Sequence, residues 1–129
     1  MDHIANMLVS ITNAASVSKK SVIVRHNNTC EAIAKILVDE GYCSAFAVEG
    51  DVKKSLVIDL KYTNDGSPVI RNMRRISKSS LRQYKKSEEL YDVRNGMGLL
   101  IVSTSKGILT GRQAKNANLG GELLVAIDE

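Results

Sequence analysis

Tryptophan is absent from this 129-residue chain, phenylalanine occurs once, and aromatic residues together make up 4%. The core must therefore be aliphatic, and a nucleic-acid platform that stacks several bases on aromatic rings lacks the residues to build it. Cysteine occurs only twice, as Cys30 and Cys43. Two cysteines outside any C-x-x-C pair are too few for a disulfide scaffold, so reduced, semi-buried thiols are expected. The two histidines, His3 and His26, stand apart from other candidate ligands and read as surface or locally hydrogen-bonded residues. No metal site or cofactor is expected. No apolar stretch approaches the ~20 residues of a membrane span, and polar residues interrupt what would be the apolar part of a signal sequence. A soluble protein with no membrane contact is the expectation.

What is present is a chain with 43% hydrophobic residues, long enough to bury roughly two thirds of its unfolded surface. Disorder, collagen and coiled coil are excluded. The formal charge is +4 and the sequence pI about 9.1, but the charge is unevenly placed. Residues 1–66 hold 7 basic and 8 acidic residues, whereas residues 67–129 hold 11 basic and 6 acidic. Within the second half Arg71, Arg74, Arg75, Lys78, Arg82, Lys85 and Lys86 follow one another without an acid until Glu88. Such a run creates a positive potential that draws in a polyanion. Its arginines favour phosphate or base-edge contact over mere solubility.

Periodicity gives the elements. Asp2 can cap a helix whose apolar residues Ile4, Met7, Leu8 and Ile11 recur at helical spacing. A β-branched run, Val22 to Val24, precedes a second helix opened by a capping-box pair, Asn28 and Glu31, and closed at Gly41. Phe46 and Val48, then Leu56, Ile58 and Leu60, alternate as a hairpin with one buried face turned at Gly50 and Asp51. A turn at Asn64, Asp65 and Gly66 ends an N-terminal α/β lobe, residues 1–66. Residues 67–129 form a basic lobe: a strand pair over about 69–77 and 81–85, a short helical turn over 88–94 stopped by Gly96, and an apolar strand over 98–102. A helix capped by Thr110 and Gln113 and a closing strand over 123–127 complete it. The expected class is α/β of the α+β type, two small closely packed lobes with the C-terminal one largely β.

The sharpest local feature is Ser103-Thr104-Ser105-Lys106-Gly107 at the end of the apolar strand. Three hydroxyls, a cation and a turn glycine supply the short donors and acceptors that reach base edges and phosphate oxygens. The lysine precedes the glycine, so this is not a P-loop. Ser103 and Lys106 match the Ser-x-x-Lys spacing of penicillin-binding enzymes, but the Ser-Asp-Asn and Lys-Thr-Gly elements that chemistry also needs do not occur. Gly120-Gly121 before a strand reads as a turn requiring positive φ. Tyr84, between Arg82 and Lys85, can stack on a ribose or base or pack at a strand edge.

In combination these segments carry a resemblance. Ser80-Leu81-Arg82 through Tyr84 and Lys85, Asn95-Gly96-Met97-Gly98, Val102-Ser103-Thr104-Ser105-Lys106-Gly107-Ile108 and Gly120-Gly121-Glu122 resemble the bacterial-type small-subunit ribosomal protein S-eight family. Asp2 to Leu8, Ile11, Asn13 and the Val48-Glu49-Gly50-Asp51 turn are similar too, so the likeness runs along nearly the whole chain. The chain departs from the family pattern at His3, Asn6, Ser10 and Thr12 and at Ser79-Ser80. The resemblance implies a non-enzymatic constituent of the small ribosomal subunit with no small-molecule substrate. Its partners would be the central domain of small-subunit ribosomal RNA and neighbouring ribosomal proteins, in a bacterial or organellar ribosome. It implies RNA contact through Ser103, Thr104, Ser105, Lys106 and Gly107, through Gly120, Gly121 and Glu122, and through the flanking Arg82, Tyr84, Lys85, Lys86, Arg74 and Lys78, with Asn13 on the first helix. A free-standing messenger-binding repressor is the alternative, and a Ser/Lys hydrolase a remote one.

Overall fold

The computed structural model describes residues 2–78, 80–93 and 98–127. The chain divides into two compact units, Met1–Arg71 and Asn72–Glu129.

In the first unit, α1 (His3–Ser16) begins where the Asp2 side chain accepts a hydrogen bond from the Ala5 amide at 3.1 Å. Its Ile4, Met7, Leu8 and Ile11 are buried, as their spacing requires. Strand β1 (Ser21–Arg25) leads to α2 (Asn28–Asp39), and β2 (Cys43–Glu49) and β3 (Ser55–Leu60) form the hairpin. The three strands are antiparallel in the order β1-β3-β2. Central β3 alternates strictly, with Leu56, Ile58 and Leu60 buried. The cap of α2 falls one residue earlier than expected: Asn27, not Asn28, accepts from the Cys30 amide at 2.7 Å. Two adjacent asparagines can both cap, and Glu31 does not reach back to close the box; it binds the His26 ring at 2.6 Å. Gly41, with φ +82°, ends α2 as expected.

Cys30 and Cys43 are free and fully buried. Burial pushes the Cys43 thiol up to about 12. Burial also raises Cys30, partly offset by its hydrogen bond with Asn27.

The second unit is organised around its last strand. β4 (Met73–Arg75), β5 (Tyr84–Lys85), β6 (Leu99–Thr104), β7 (Gly107–Thr110) and β8 (Gly121–Ile127) make one antiparallel sheet in the order β4-β8-β6-β7, with β5 also on β8. The two basic segments do not form a strand pair with each other. Both lie along the same edge of β8, β4 against Val125 to Ile127 and β5 against Gly121 and Glu122. A single bridge, Lys78 with Leu81, joins the segments between them. The helical turn expected over 88–94 is a 3₁₀ turn, Ser87–Glu89, and Gly96 lies outside the described residues. α3 (Gly111–Asn116) carries the expected capping box, Thr110 and Gln113 exchanging 3.1 Å bonds. Leu100, Val102, Leu123 and Ala126 of the sheet pack with Ile76, Leu90, Val93 and Ala114 into one aliphatic core.

Candidate nucleic-acid interface

The N-terminal end of β8 is where the basic and hydroxyl-rich segments meet. Glu122 pairs with Tyr84 of β5 on one side and with Ser103 of β6 on the other, and Ser103 pairs in turn with Ile108 of β7. Residues directly opposite in antiparallel strands project to the same face, so Tyr84, Glu122, Ser103 and Ile108 form a row across four strands. Tyr84 is 66% exposed, its ring open to an incoming partner. The sheet thus joins segments about 20 and 40 residues apart, as a ligand surface spread over the sequence requires.

Gly120 and Gly121 make this junction possible, and not in the way their sequence context suggests. Neither has positive φ. A β-carbon on Gly120 would stand 2.5 Å from the Lys85 carbonyl oxygen and 2.8 Å from the Lys86 α-carbon, and one on Gly121 would overlap the Ser103 carbonyl oxygen. The two glycines let the backbones of β5, β8 and β6 pass within a distance no side chain permits. The demand is steric and comes from neighbours distant in sequence, so the chain around residues 120–121 holds no trace of it.

Glu122 is tied down rather than presented. Its Oε2 accepts from Ser77 Oγ at 2.5 Å and from Arg82 Nη1 at 2.9 Å, and Ser77 Oγ accepts from the Gln83 amide at 3.1 Å. Partial burial pushes the carboxyl up, but the Ser77 and Arg82 hydrogen bonds and the charges of Arg82 and Arg75 outweigh it, and the carboxyl lies below its ordinary value. A carboxylate facing phosphate would repel it; here its charge is met by Arg82. Fully buried Ser77 is the residue that sequence reasoning missed. A lone serine in a basic run gives no signal of its partner 45 positions away.

Around this knot the cations are displayed. The amides of Ile76 and Ser77 donate to β8, and the Leu123 amide donates to Gln83, so the chain leaves the β8 edge only between these points. That excursion carries exposed Lys78 and Leu81, the latter 65% exposed, and returns through Arg82. Lys85 and Lys86 follow, both exposed, and Arg74 is exposed on β4 opposite Ala126. Arg75 turns inward, its Nη1 donating to the Leu124 carbonyl at 3.0 Å.

The hydroxyl-rich segment is more ordered than a loop. Ser103 and Thr104 are the last residues of β6, and Gly107, at φ +106°, opens β7, so only Ser105 and Lys106 form the turn. Thr104 Oγ1 donates to the Gly107 carbonyl at 2.7 Å and accepts from the Lys106 amide at 3.2 Å. Its hydroxyl closes the turn, leaving Ser105 and Lys106 as the exposed polar tip. Asn13 belongs to the first unit, exposed on α1 in a cleft of mixed lining with Ser10, Ser16, Val17, Lys19 and Val22. Among the described residues no group of three or more His, Cys, Asp or Glu could hold a metal ion, and no helix is long and apolar enough to cross a membrane.

Comparison with known proteins matches residues 2–127 to the family model described as Ribosomal protein S8. The chain is 45% identical over 126 residues to the small ribosomal subunit protein uS8 of Pseudomonas savastanoi pv. phaseolicola, covering 98% of this chain and 96% of that one. It is 47% identical over 126 residues to the uS8 protein of Neisseria meningitidis serogroup C, with the same coverage. The uS8 protein of Pseudoalteromonas translucida is 46% identical over 123 residues, 95% of this chain and 94% of the relative.

Proposed function

Since the chain belongs to the ribosomal protein S8 family, we propose that it binds the central domain of small-subunit ribosomal RNA through the N-terminal end of β8 and the strands beside it. The protein is a structural constituent of the small ribosomal subunit and not an enzyme. Ribosomal RNA and neighbouring small-subunit proteins are its partners, and the relatives that define its setting are bacterial. The Ser-x-x-Lys spacing of Ser103 and Lys106 then reflects a two-residue turn, not a catalytic pair.

One observation supports the placement of the contact above others. Strands β5 and β6 meet on Gly121 and Glu122; β5 bears the open ring of Tyr84 and Lys85, Lys78 and Lys86 flank it along the chain, and the exposed tip Ser105-Lys106 directly follows β6. The division of labour follows from the chemistry. Lysines at the edge attract and position the phosphate backbone, while the short hydroxyls and the tyrosine ring read shape and base edges. Gly107, Gly120, Gly121 and Glu122 serve by holding the strands in register, Thr104 by closing the turn and Arg82 by meeting the charge of Glu122. Ser103 stands beside Glu122, Arg74 adds a cation on β4, and Asn13 offers a separate polar contact from α1.

Sedimentation tests the reading. The native protein should travel with small ribosomal subunits through a gradient at moderate salt and protect a central-domain transcript from chemical probing. Recovery solely as free protein, in cells with intact ribosomes, would overturn it.

A further inference from the structure

The first unit, with eight basic and eight acidic residues, carries no net attraction for a polyanion, yet its cations are not spread evenly. A cleft at the C-terminal end of β1 is lined by Arg25, His26, Val52, Lys53 and Lys54 with Ile23 and Ser55 beside them. Three of these are Lys or Arg, and no carboxylate lines the cleft. Glu31 lies behind it, engaged with the His26 ring at 2.6 Å.

The cleft is built, not a chance meeting of long side chains. Arg25 pairs with Ser55 across the sheet, and the His26 amide donates to the Lys54 carbonyl at 3.2 Å, fixing β1 against the loop that carries both lysines. That loop is tightly folded. Gly50 has φ +97°, and a β-carbon there would stand 2.6 Å from the Lys53 carbonyl oxygen. Strand β1 is the edge of its sheet. The Leu60 amide bonds to the Lys20 carbonyl and the His26 amide to Lys54, so the even-numbered residues of β1 face β3. The backbone groups of Ser21, Ile23 and Arg25 therefore face outward along the same edge. At the other end of β1, Lys19 and Ser21 line the cleft that contains Asn13.

We propose that this edge is a second RNA-backbone site, in which Arg25, Lys53 and Lys54 neutralise phosphates while Ser55 and the outward amides of β1 offer hydrogen bonds. Three cations without an intervening acid, beside a row of free backbone donors, match the repeating charge of a phosphodiester chain. Exposed Ile23 and Val52, 67% and 94% accessible, suit the apolar faces of riboses. The proposal rests on the RNA-binding reading above and extends it to the unit whose charges sum to zero.

The test is a full-length variant, Arg25→Gln with Lys53→Gln and Lys54→Gln, titrated with a central-domain transcript over a salt series. A control matched in charge replaces Lys35, Lys61 and Lys115, none of which lines the cleft. Each phosphate contact contributes roughly 0.7 to 0.9 to the slope of log affinity against log salt. The cleft variant should therefore lose about two units of slope and bind more than tenfold more weakly at low salt, with unchanged thermal unfolding and with the control close to wild type. Equal losses in variant and control would reduce the effect to net charge and overturn the site. An unchanged slope, with the variant washed from small subunits at lower salt, would assign the cleft to an acidic protein neighbour and also overturn it. A wild type that ignores the transcript would refute the underlying reading itself.

Discussion

The α-carbon of Gly121 lies against the carbonyl oxygen of Ser103, leaving no space for a β-carbon. Gly121→Ala must push β6 away from β8 at the residue that precedes the hydroxyl turn. Overpacking of this kind costs about 1 to 3 kcal/mol, and RNA affinity should fall with it because Ser103 to Lys106 shift together. Gly41→Ala is the contrast: nothing lies within 4 Å of its added carbon, but its φ of +82° is strained for alanine. It should cost on the order of 1 kcal/mol and leave affinity per folded molecule unchanged. Denaturant unfolding and binding, measured on both variants, separate the two effects.

Glu122 predicts a pH signature. A carboxyl held below its ordinary value of 4.5 stabilises the fold fully above that pH, and the gain is lost as pH falls through the lowered value. Glu122→Gln should therefore destabilise the protein near neutrality by about 1 kcal/mol, a charged hydrogen-bond contribution reduced for partial exposure of the Arg82 partner. The difference from wild type should shrink below the ordinary carboxyl range. A difference independent of pH, read from unfolding curves between neutrality and strong acid, would remove the charge of Glu122 from the stability of this junction.

The hydroxyls of the turn should part company. Thr104→Val removes both bonds of Oγ1 and should lower stability by about 1 kcal/mol. Ser105→Ala, at the exposed tip, should leave unfolding unchanged and reduce affinity for the cognate RNA about fivefold or more, while binding to an unrelated duplex stays constant. Wild-type discrimination by a stable Ser105→Ala would exclude that hydroxyl from recognition.

Lys78→Ala and Lys86→Ala act through charge. Each should weaken binding to cognate and unrelated RNA alike and lower the salt slope by about one unit or less. Two variants with the wild-type slope would take these lysines out of the interface.

What the sequence makes legible is what local chemistry decides. Asp2 and the Thr110–Gln113 pair cap their helices because a cap needs only residues three positions apart. Leu56, Ile58 and Leu60 announce β3 by alternation alone. What stays hidden depends on partners far along the chain. The two basic segments read as a hairpin because they are adjacent, yet β8 offers each a longer and more buried edge. Of the candidate site, the residue types around 82–86 and 103–107 are visible in advance. Their convergence on Glu122, the anchoring by Ser77 and the inward turn of Arg75 are not, since each involves β8 residues roughly 40 to 50 positions later.

The central place of β8 has a consequence in time. β4, β5 and β6 all bond to a strand that occupies Gly121–Ile127, so during synthesis β4 and β5 must wait unpaired, and β6 with only β7 beside it, until that strand has been polymerised and freed. The first unit, complete by Arg71, can form meanwhile. For the interval between, apolar β6 and a row of cations are held on an unfinished chain beside ribosomal RNA, and non-local pairing of this kind is slow and exposed to aggregation. The rate at which the last strand closes the sheet thus governs how long the nascent protein can be captured by the wrong partner.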